Sequence, residues 1–162
     1  MHYTTYQYSD GARKKVGVVR RAGMDGTEPV TVVAGIGDHE GITIDLTTSR
    51  LFWADSKSDR IESSDFQGGD RRMVVPLSGD GPNGIATADE RIYWGGQTSR
   101  KLQSCTMAGK DVVTLHKETS SISQLMILVP DLGLRRNRTN NCEGHSCEKV
   151  CVLSAHSFRC LE

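Results

Sequence analysis

The middle of the chain alternates between short apolar runs and polar, glycine-containing turns. Residues 42–44 read Ile-Thr-Ile, residues 51–53 read Leu-Phe-Trp, a third run spans 61–66, and residues 73–75 read Met-Val-Val. The segments between these runs are rich in Thr, Ser, Asp and Gly, which are residues that reverse a chain. No stretch shows a sustained helical period. The pattern therefore predicts a four-stranded antiparallel meander and almost no helix.

The same pattern recurs further along the chain. Trp53 stands in Arg-Leu-Phe-Trp-Ala-Asp at 50–55, and Trp94 stands in Arg-Ile-Tyr-Trp-Gly-Gly at 91–96. The number of residues from Trp53 to Trp94, which we call the repeat period, is typical of stacked supersecondary units. A meander with one apolar face must bury that face against a neighbour, and radial repetition meets this need in a β-propeller with four strands per blade. Because the two tryptophans recur at one blade position, we expect both rings to pack in the core rather than to stack on a ligand.

A third, weaker copy precedes these two. Residues 19–26 stand before residues 61–68 by about one repeat period, so that Gly26 takes the place of Gly68. Glycine at such a turn adopts a positive φ without steric cost. We expect the Tyr-Ser-Asp segment at 8–10 to be the remnant of the aromatic strand of that blade.

Residues 1–130 are thus predicted to form an all-β, partial β-propeller of about 2.5 to 3 four-stranded antiparallel blades. The apolar run at 123–129 is expected to be the inner strand of a further blade. An open stack of this kind leaves strand edges and apolar blade faces exposed. We therefore expect the chain expressed alone to be poorly soluble or to associate.

The repeated positions resemble the YWTD repeat, the class B repeat of low-density-lipoprotein-receptor-type ectodomains. The positions that match its motif are Gly26, Phe52, Trp53, Asp55, Gly68, Tyr93, Trp94 and Gly109. The resemblance implies a six-bladed propeller, which this chain could not close within itself. It also implies a non-catalytic scaffold with no cofactor.

Two positions depart from the family motif. The Thr-Asp pair that follows the tryptophan becomes Ala54 and Asp55 in one blade, and Gly95 and Gly96 in the other. In the family this aspartate is taken to form a hydrogen bond between blades. Asp55 can do so, whereas Gly96 has no side chain. The resemblance therefore implies that the Trp94 blade is less tightly tied to its neighbour.

Four of the five cysteines fall close to the end of the chain, after a change in composition near residue 130. They are Cys142, Cys147, Cys151 and Cys160, in the spacing Cys-x4-Cys-x3-Cys-x8-Cys. Four cysteines allow three disulfide connectivities, and a zinc site with His145 and His156 as further ligands is the alternative. Structural zinc sites usually present close cysteine pairs, whereas the spacing here is uneven, which favours disulfides.

This spacing resembles the first four cysteines of an epidermal-growth-factor-like module. Such modules normally follow YWTD propellers, so residues 131–141 are expected to be a linker and residues 142–162 a truncated module. The resemblance implies the pairs Cys142–Cys151 and Cys147–Cys160. Asn137 lies in an Asn-x-Thr sequon on the linker, which is a glycosylation acceptor in a secreted protein.

Composition narrows the function classes. The 20 basic and 20 acidic residues cancel, which argues against nucleic-acid binding as the main function. No stretch approaches the roughly 18 apolar residues that a membrane helix needs. The N-terminus has no apolar signal-peptide region, although the resemblance is to extracellular proteins. We therefore expect this chain to be a fragment, cut inside a blade at one end and inside a module at the other.

Several single residues could carry chemistry. Cys105 is expected to be a buried small hydrophobe rather than a reactive thiol. His39 lies in a segment that we expect to be a loop on one propeller face, where a histidine could titrate at low pH, although an exposed loop histidine is the simpler interpretation. The acids Asp38, Glu40, Asp45, Asp89 and Glu90 could suggest an acid–base or calcium site, but acids beside turns usually are solvated or cap the turn. The propeller region has no Ser-His-Asp arrangement, phosphate-binding loop or metal-ligand cluster in its sequence.

The sequence thus favours a non-catalytic extracellular binding module. The resemblance implies part of the ectodomain of a lipoprotein-receptor-like single-pass membrane protein, with an endocytic or Wnt-type co-receptor role. Its partners would be protein ligands on a propeller face and the neighbouring growth-factor-like module. An extracellular-matrix adaptor of the nidogen type is the alternative. A calcium-dependent six-bladed propeller hydrolase is the least favoured, because the acids do not recur at inner-strand positions.

Overall fold

The computed structural model describes residues 1–8, 15–122, 125, 150–153 and 158–161. At residues 39 and 40 and in the last two of these stretches, only the backbone is described. The predicted linker at 131–141, its sequon at Asn137, Cys142, Cys147 and most of the apolar run at 123–129 lie outside the described residues.

The described residues form β-strands and turns, and no helix is found among them. The strands are β1 (His2–Tyr8), β2 (Lys15–Arg21), β3 (Val30–Ile36), β4 (His39–Asp45), β5 (Arg50–Asp55), β6 (Arg60–Asp65), β7 (Arg72–Pro76), β8 (Pro82–Ala88), β9 (Arg91–Gly96), β10 (Lys101–Thr106), β11 (Val113–Lys117), β12 (Val150–Leu153) and β13 (Phe158–Leu161). The all-β prediction is confirmed.

Eleven of these strands form three antiparallel sheets in chain order. The first sheet is β1-β2-β3, the second is β4-β5-β6-β7, and the third is β8-β9-β10-β11. Strands β12 and β13 form a separate hairpin, in which Cys151 lies opposite Cys160. The four-stranded blade is therefore confirmed in the second and third sheets, whereas the first sheet has three described strands.

The aromatic strand of the first sheet is not where the sequence suggested. Tyr3 of β1 lies opposite Arg20 of β2, just as Trp53 of β5 lies opposite Glu62 of β6. Arg20 precedes Glu62 by about one repeat period. The counterpart of the tryptophan is therefore Tyr3, and the remnant proposed to begin at Tyr8 was wrong. Tyr3 and Arg20 are further apart along the chain than Trp53 and Glu62, mainly because β1 and β2 stay paired as far as Tyr8 and Lys15.

The apolar core lies between the sheets, in two layers. The layer between the first and second sheets contains Val19, Val33, Ile36, Leu51 and Trp53, with Val32, Ile42 and Phe66 packed against it. The layer between the second and third sheets contains Phe52, Ala54, Ile61, Val75, Ile85, Ile92, Trp94 and Cys105. Successive residues of a strand point to opposite faces, so β5 contributes to both layers. Each sheet is therefore stabilised by burial against its neighbour.

The inner edges of the second and third sheets lie side by side. A Cβ built on Gly41 of β4 would lie 2.5 Å from the carbonyl oxygen of Asn83 in β8, so only glycine allows the two backbones this approach. Further along, the hydroxyl oxygens of Thr43 and Thr87 are 3.4 Å apart. Strands β4 and β8 are thus the innermost strands of two adjacent blades.

A glycine turn of the second sheet and one of the third sheet each pack on the outer strand of the sheet before them. Gly26, Gly68 and Gly109 occupy equivalent turns with φ of 80°, 88° and 75°. A Cβ on Gly68 would lie 1.7 Å from the carbonyl oxygen of Val32 in β3, and one on Gly109 would lie 1.9 Å from that of Val74 in β7. A Cβ on Gly26 would meet nothing within 4 Å. The contact therefore exists at both internal junctions, whereas the Gly26 turn of the first sheet has no described neighbour at this position.

Candidate functional site: the blade junctions and the Asp55 face

Antiparallel strands bring alternate turns to opposite ends of the stack. One end carries the β3–β4, β5–β6, β7–β8 and β9–β10 connections, and we call it the Asp55 face because β5 ends there at Asp55. The other end carries the β2–β3, β4–β5, β6–β7, β8–β9 and β10–β11 connections, and we call it the Gly68 face. These two ends are the surfaces that a partner could approach.

Asp55 ties the first junction together. Its buried carboxylate accepts hydrogen bonds from the amide of Gly37, in the β3–β4 connection, and from the amide of Ser58, both at 3.0 Å. Burial by itself would raise the pKa of Asp55, but the hydrogen bonds from Gly37 and Ser58 and the charge of Arg60 outweigh it, and the pKa is lowered. The ionised carboxylate therefore fixes both the turn and the chain leaving the first sheet.

An ion cluster around the buried carboxylate of Glu62 reinforces the same junction. The Glu62 carboxylate on β6 lies 2.6 Å from Arg71 and 2.8 Å from Arg60. Arg71 also donates to the carbonyl oxygen of Ala34 in β3 at 2.6 Å, and its guanidinium carbon lies 5.5 Å from the Trp53 ring centroid. The charge on Glu62 is thus compensated by two guanidinium groups, one of which bridges to the first sheet.

The second junction has a different carboxylate. Gly96 occupies the position equivalent to Asp55 and supplies no side chain. Asp59, in the β5–β6 turn, instead accepts hydrogen bonds from the amides of Gly79 and, at 2.9 Å, Gly81 in the β7–β8 connection. Gly79 is the counterpart, about one repeat period on, of the glycine that Asp55 binds. The expectation of a looser Trp94 blade is therefore not supported, because the tie is made from the other side of the junction.

Further hydrogen bonds, most of them between backbone groups, extend these ties across the Asp55 face. The carbonyl oxygen of Asp80 accepts from the amides of Thr98 at 3.0 Å and Ser99 at 3.2 Å. At the first sheet, the Tyr6 hydroxyl donates to the Asp38 carboxylate at 3.2 Å. The Asp38 carbonyl oxygen accepts a hydrogen bond from the amide of Ser56, in the β5–β6 turn. Together with the bonds of the two carboxylates, these contacts cross all three sheets, which makes the Asp55 face a preorganised surface.

On the Gly68 face, the turns are mainly capped by their own residues. Asp45 accepts from the amide of Thr48 at 2.7 Å, and Asp65 accepts from the amides of Gln67 and Gly69 at 2.8 Å. The acid predicted to cap a turn at Asp45 does so. These carboxylate bonds stay inside one turn, whereas those of Asp55 and Asp59 link a turn to the connection between two sheets.

The Asp55 face exposes side chains suited to protein contacts. Tyr8 is 70% exposed at the end of β1, and Lys57, Gln97 and Arg100 are exposed on the turns. Tyr and Arg are the residues most often found at energetic centres of protein interfaces, because they combine a large contact area with hydrogen-bonding groups. The face thus combines a fixed backbone with adaptable side chains.

The other predicted residues fall in different places. Trp53 and Trp94 are fully buried, as expected of core residues. Cys105 is also fully buried in the second core layer, and burial raises the pKa of its thiol to about 11. His39 is the first residue of β4 and lies opposite Asp55, so it begins a strand rather than lying in a loop.

Phe52 lies in the second core layer, and Tyr93 is half-buried on the far side of the third sheet. Asp89 and Glu90 form the tight β8–β9 turn, where both residues have positive φ. Among the residues that the structure describes, no group of three or more His, Cys, Asp or Glu side chains is placed to hold a metal ion. The described part of the chain also contains no helix long and apolar enough to cross a bilayer.

Sequence reasoning missed the junction residues Asp59 and Arg71. It also missed a repeated brace, in which Arg50 donates to the Asp70 carboxylate at 2.6 Å and Arg91 donates to the Asp111 carbonyl oxygen at 3.1 Å. Each of the two repeated arginines also binds a serine hydroxyl on the next strand at 3.0 Å. The recurrence of Arg, Ser and Asp at the repeat period was a signal that could have revealed this brace.

Comparison with known proteins agrees with this geometry. The model of the low-density lipoprotein receptor repeat class B matches residues 49–86, which include β5, β6, β7 and most of β8. The chain contains a low-density lipoprotein receptor class B repeat. It is 34% identical to the human low-density lipoprotein receptor-related protein 5 over 146 residues, and 29% identical to the vitellogenin receptor of Solenopsis invicta over 138 residues. These alignments cover 86% and 82% of this chain but only 9% and 8% of the relatives.

Solved structures support the same fold. A chain of the nidogen/laminin complex superposes with a TM-score of 0.58 at 28% identity, covering 65% of this chain and 42% of that one. The calcium-binding protein regucalcin from Agrobacterium tumefaciens superposes with a TM-score of 0.56 at 14% identity, covering 67% and 39%. The second likeness concerns the fold alone. The repeat, the sheets and the relatives together identify a partial YWTD-type propeller.

Proposed function

We propose that this chain is a non-catalytic, extracellular part of a lipoprotein-receptor-like ectodomain, and that it binds protein ligands through the Asp55 face. The observation that carries the proposal is the continuous set of hydrogen bonds that fixes the turns of this face across three sheets. A surface that is already ordered loses less entropy on binding a partner. The receptors among the relatives support a binding role rather than a catalytic one.

A direct binding experiment tests this proposal. Purified vitellogenin, the ligand suggested by the name of one relative, is immobilised and the chain is passed over it. The variant Tyr8→Ser/Lys57→Glu/Arg100→Glu is expected to bind at least about tenfold more weakly, because removing interface centres costs more than about 1.4 kcal/mol. The matched control, Arg72→Glu/Lys110→Glu, alters exposed cations on the Gly68 face and is expected to bind as the unaltered chain does.

The nidogen-type adaptor is the second candidate, favoured by the superposition on the nidogen/laminin complex. Immobilised laminin provides the second arm of the same experiment. Binding to laminin alone would favour the adaptor, and binding to vitellogenin alone would favour the receptor. Failure to bind either protein, or equal loss in both variants, would contradict the role of the Asp55 face. Metal-dependent lactonase activity would contradict a non-catalytic role.

We further propose that the cysteine tail is a truncated growth-factor-like module with the pairs Cys142–Cys151 and Cys147–Cys160, and that Asn137 carries a glycan. The hairpin β12–β13 supports a compact module and sets Cys151 opposite Cys160. A direct bond between these two is therefore the competing connectivity. Mass spectrometry of peptides from the non-reduced, secreted chain distinguishes the two sets of pairs and detects a glycan on the linker.

A further inference from the structure

The second junction contains a buried hydrogen-bond donor and a buried acceptor that no described residue satisfies. The indole Nε1 of Trp94 and the side-chain carbonyl oxygen Oε1 of Gln103 are both buried, and neither has a hydrogen-bond partner among the described residues. Trp94 is fully buried, and Gln103 is 7% exposed. Unpaired buried polar atoms are costly, so nearly all of them in folded proteins bind another protein group or an ordered water. These two atoms therefore mark a place where a small polar molecule would be stabilised.

The strand register sets the two side chains next to each other. Gln103 of β10 lies directly opposite Trp94 of β9. Opposed residues of antiparallel strands project to the same face of the sheet, with Cβ atoms about 4.5 to 5.5 Å apart. Trp94 belongs to the core layer between the second and third sheets, so Gln103 faces that layer as well. An N–H and a carbonyl oxygen on such neighbouring side chains can share one water, which accepts from the first and donates to the second.

The first junction shows what fills the corresponding space there. Glu62 lies opposite Trp53, and the guanidinium of Arg71 is 2.6 Å from the Glu62 carboxylate and 5.5 Å from the Trp53 ring centroid. One repeat period on, the counterpart of Arg71 is Val112, which is 46% exposed. Valine is shorter than arginine and has no polar side-chain atom. The polar space that the guanidinium occupies at the first junction is therefore left to another group at the second.

We propose that an internal water molecule is bound between the second and third sheets, accepting a hydrogen bond from Nε1 of Trp94 and donating one to Oε1 of Gln103. Water suits the site because it both donates and accepts, is neutral like its two partners, and fits where a single polar group is missing. It takes over, without charge, the place that Arg71 has at the first junction. The site is independent of the proposed ligand, since it lies inside the stack rather than on the Asp55 face.

Magnetic resonance of the indole protons tests the proposal. The chain has two tryptophans, so the chain of residues 1–162 made with isotope-labelled tryptophan gives two indole signals, which Trp53→Phe assigns. Paired NOE and ROE spectra detect magnetisation transfer between water and these protons. The cross peak of a bound water has opposite signs in the two spectra, whereas that of an exchanging proton has the same sign. We expect the pattern of a bound water at Trp94 in the unaltered chain.

Val112→Arg is the decisive substitution, because Val112 is exposed enough for the folded chain to accept a longer side chain. The introduced guanidinium should reach Gln103 as Arg71 reaches Glu62, displace the water and abolish the cross peak. The matched control is Val113→Arg, which adds the same charge at the next position. Successive residues of a strand project to opposite faces, so this control should leave the cross peak unchanged.

Gln103→Leu provides a second, independent variant, because it removes the acceptor without adding a charge. We expect the water cross peak of Trp94 to be lost, while the indole signal of Trp53, which lies in the other core layer, stays as it is. Urea denaturation of each variant checks that the loss occurs in a folded chain.

Three results would overturn the proposal. The first is a Trp94 indole proton with no bound-water cross peak in the unaltered chain. The second is a cross peak that survives Val112→Arg or Gln103→Leu, since the water would then be held by other groups. The third is an equal loss in Val113→Arg, which would trace the effect to the added charge rather than to the space beside Gln103.

Discussion

The two junctions between sheets solve the same problem with different chemistry. At the first junction, the carboxylate of Asp55 comes from the later sheet, and a Glu62–Arg71 pair adds charge next to Trp53. At the second junction, the carboxylate of Asp59 comes from the earlier sheet, and the residue opposite Trp94 is the buried but uncharged Gln103. At both junctions a carboxylate binds the amide of a glycine in the connection between sheets. The comparison teaches that the bound amide recurs from repeat to repeat, whereas the residue that binds it changes.

The packing of a glycine turn on an outer strand, which both junctions share, should be the contact whose disruption lowers stability most. Gly68→Ala and Gly109→Ala each place a methyl group almost on top of a carbonyl oxygen at a positive φ. We expect each substitution to lower the free energy of unfolding by about 3 kcal/mol or more, measured by urea denaturation. Gly26→Ala, with a similar φ but open space, should cost about 1 kcal/mol. Equal losses at all three positions would show that φ alone matters.

The ion cluster should make the first junction respond differently from the second when its charges are removed. Arg71→Val removes one of the two cations beside the buried Glu62 carboxylate, and we expect a loss of about 2 to 3 kcal/mol of unfolding free energy. Adding Glu62→Gln, which reproduces the Gln103 and Val112 of the third sheet, should restore part of that loss, because no buried charge is then left underpaired. A double-mutant cycle in urea measures the coupling, and additive losses would contradict a joint role.

The carboxylates of Asp55 and Asp59 should contribute similar amounts to the free energy of unfolding. Asp55→Asn and Asp59→Asn are each expected to cost about 1 to 2 kcal/mol, because a charged acceptor of backbone amides is weakened at one junction. The folded-state pKa of Asp55 is lowered. Its contribution to the free energy of unfolding is therefore complete above pH 3.8, the ordinary pKa, and is lost as the pH falls through the folded-state pKa. Asp55→Asn should therefore flatten the acid limb of the stability profile. A profile unchanged by this substitution would contradict the assignment.

The smallest effect concerns a histidine at the first junction. The His2 ring lies 5.7 Å from the Phe66 ring, and its Nε2 is 3.3 Å from the Phe66 carbonyl oxygen. Desolvation, together with the charges of the N-terminus and Arg21, lowers the pKa of His2 despite its hydrogen bond. The neutral ring is thus favoured on folding, so stability should fall as the pH drops from 6.5 through the folded-state value. His2→Phe should abolish this slope in thermal melts, and a slope that persists would locate it elsewhere.

The sequence carried enough information for the fold but only part of the junctions. Trp53, Gly68 and their counterparts recur at a fixed period, because backbone geometry and core volume tolerate few alternatives at those positions. Asp59 was missed because a carboxylate can reach the same amide from a different chain position, and periodicity records position along the chain rather than in space. Tyr3 was missed because β1 and β2 pair over a longer stretch than β5 and β6, which moves the aromatic position of the first copy along the chain.

In the part of the chain that the structure describes, each core layer joins two neighbouring sheets, and this arrangement governs how the molecule opens. A stack of units coupled only to their nearest neighbours loses structure from its ends inward. The central sheet, held on both sides, should retain its amide protons longest against exchange with heavy water. The outer strand β11, whose residues are all exposed, should exchange among the earliest. The first and third sheets would thus lose their protection against exchange before the central sheet does.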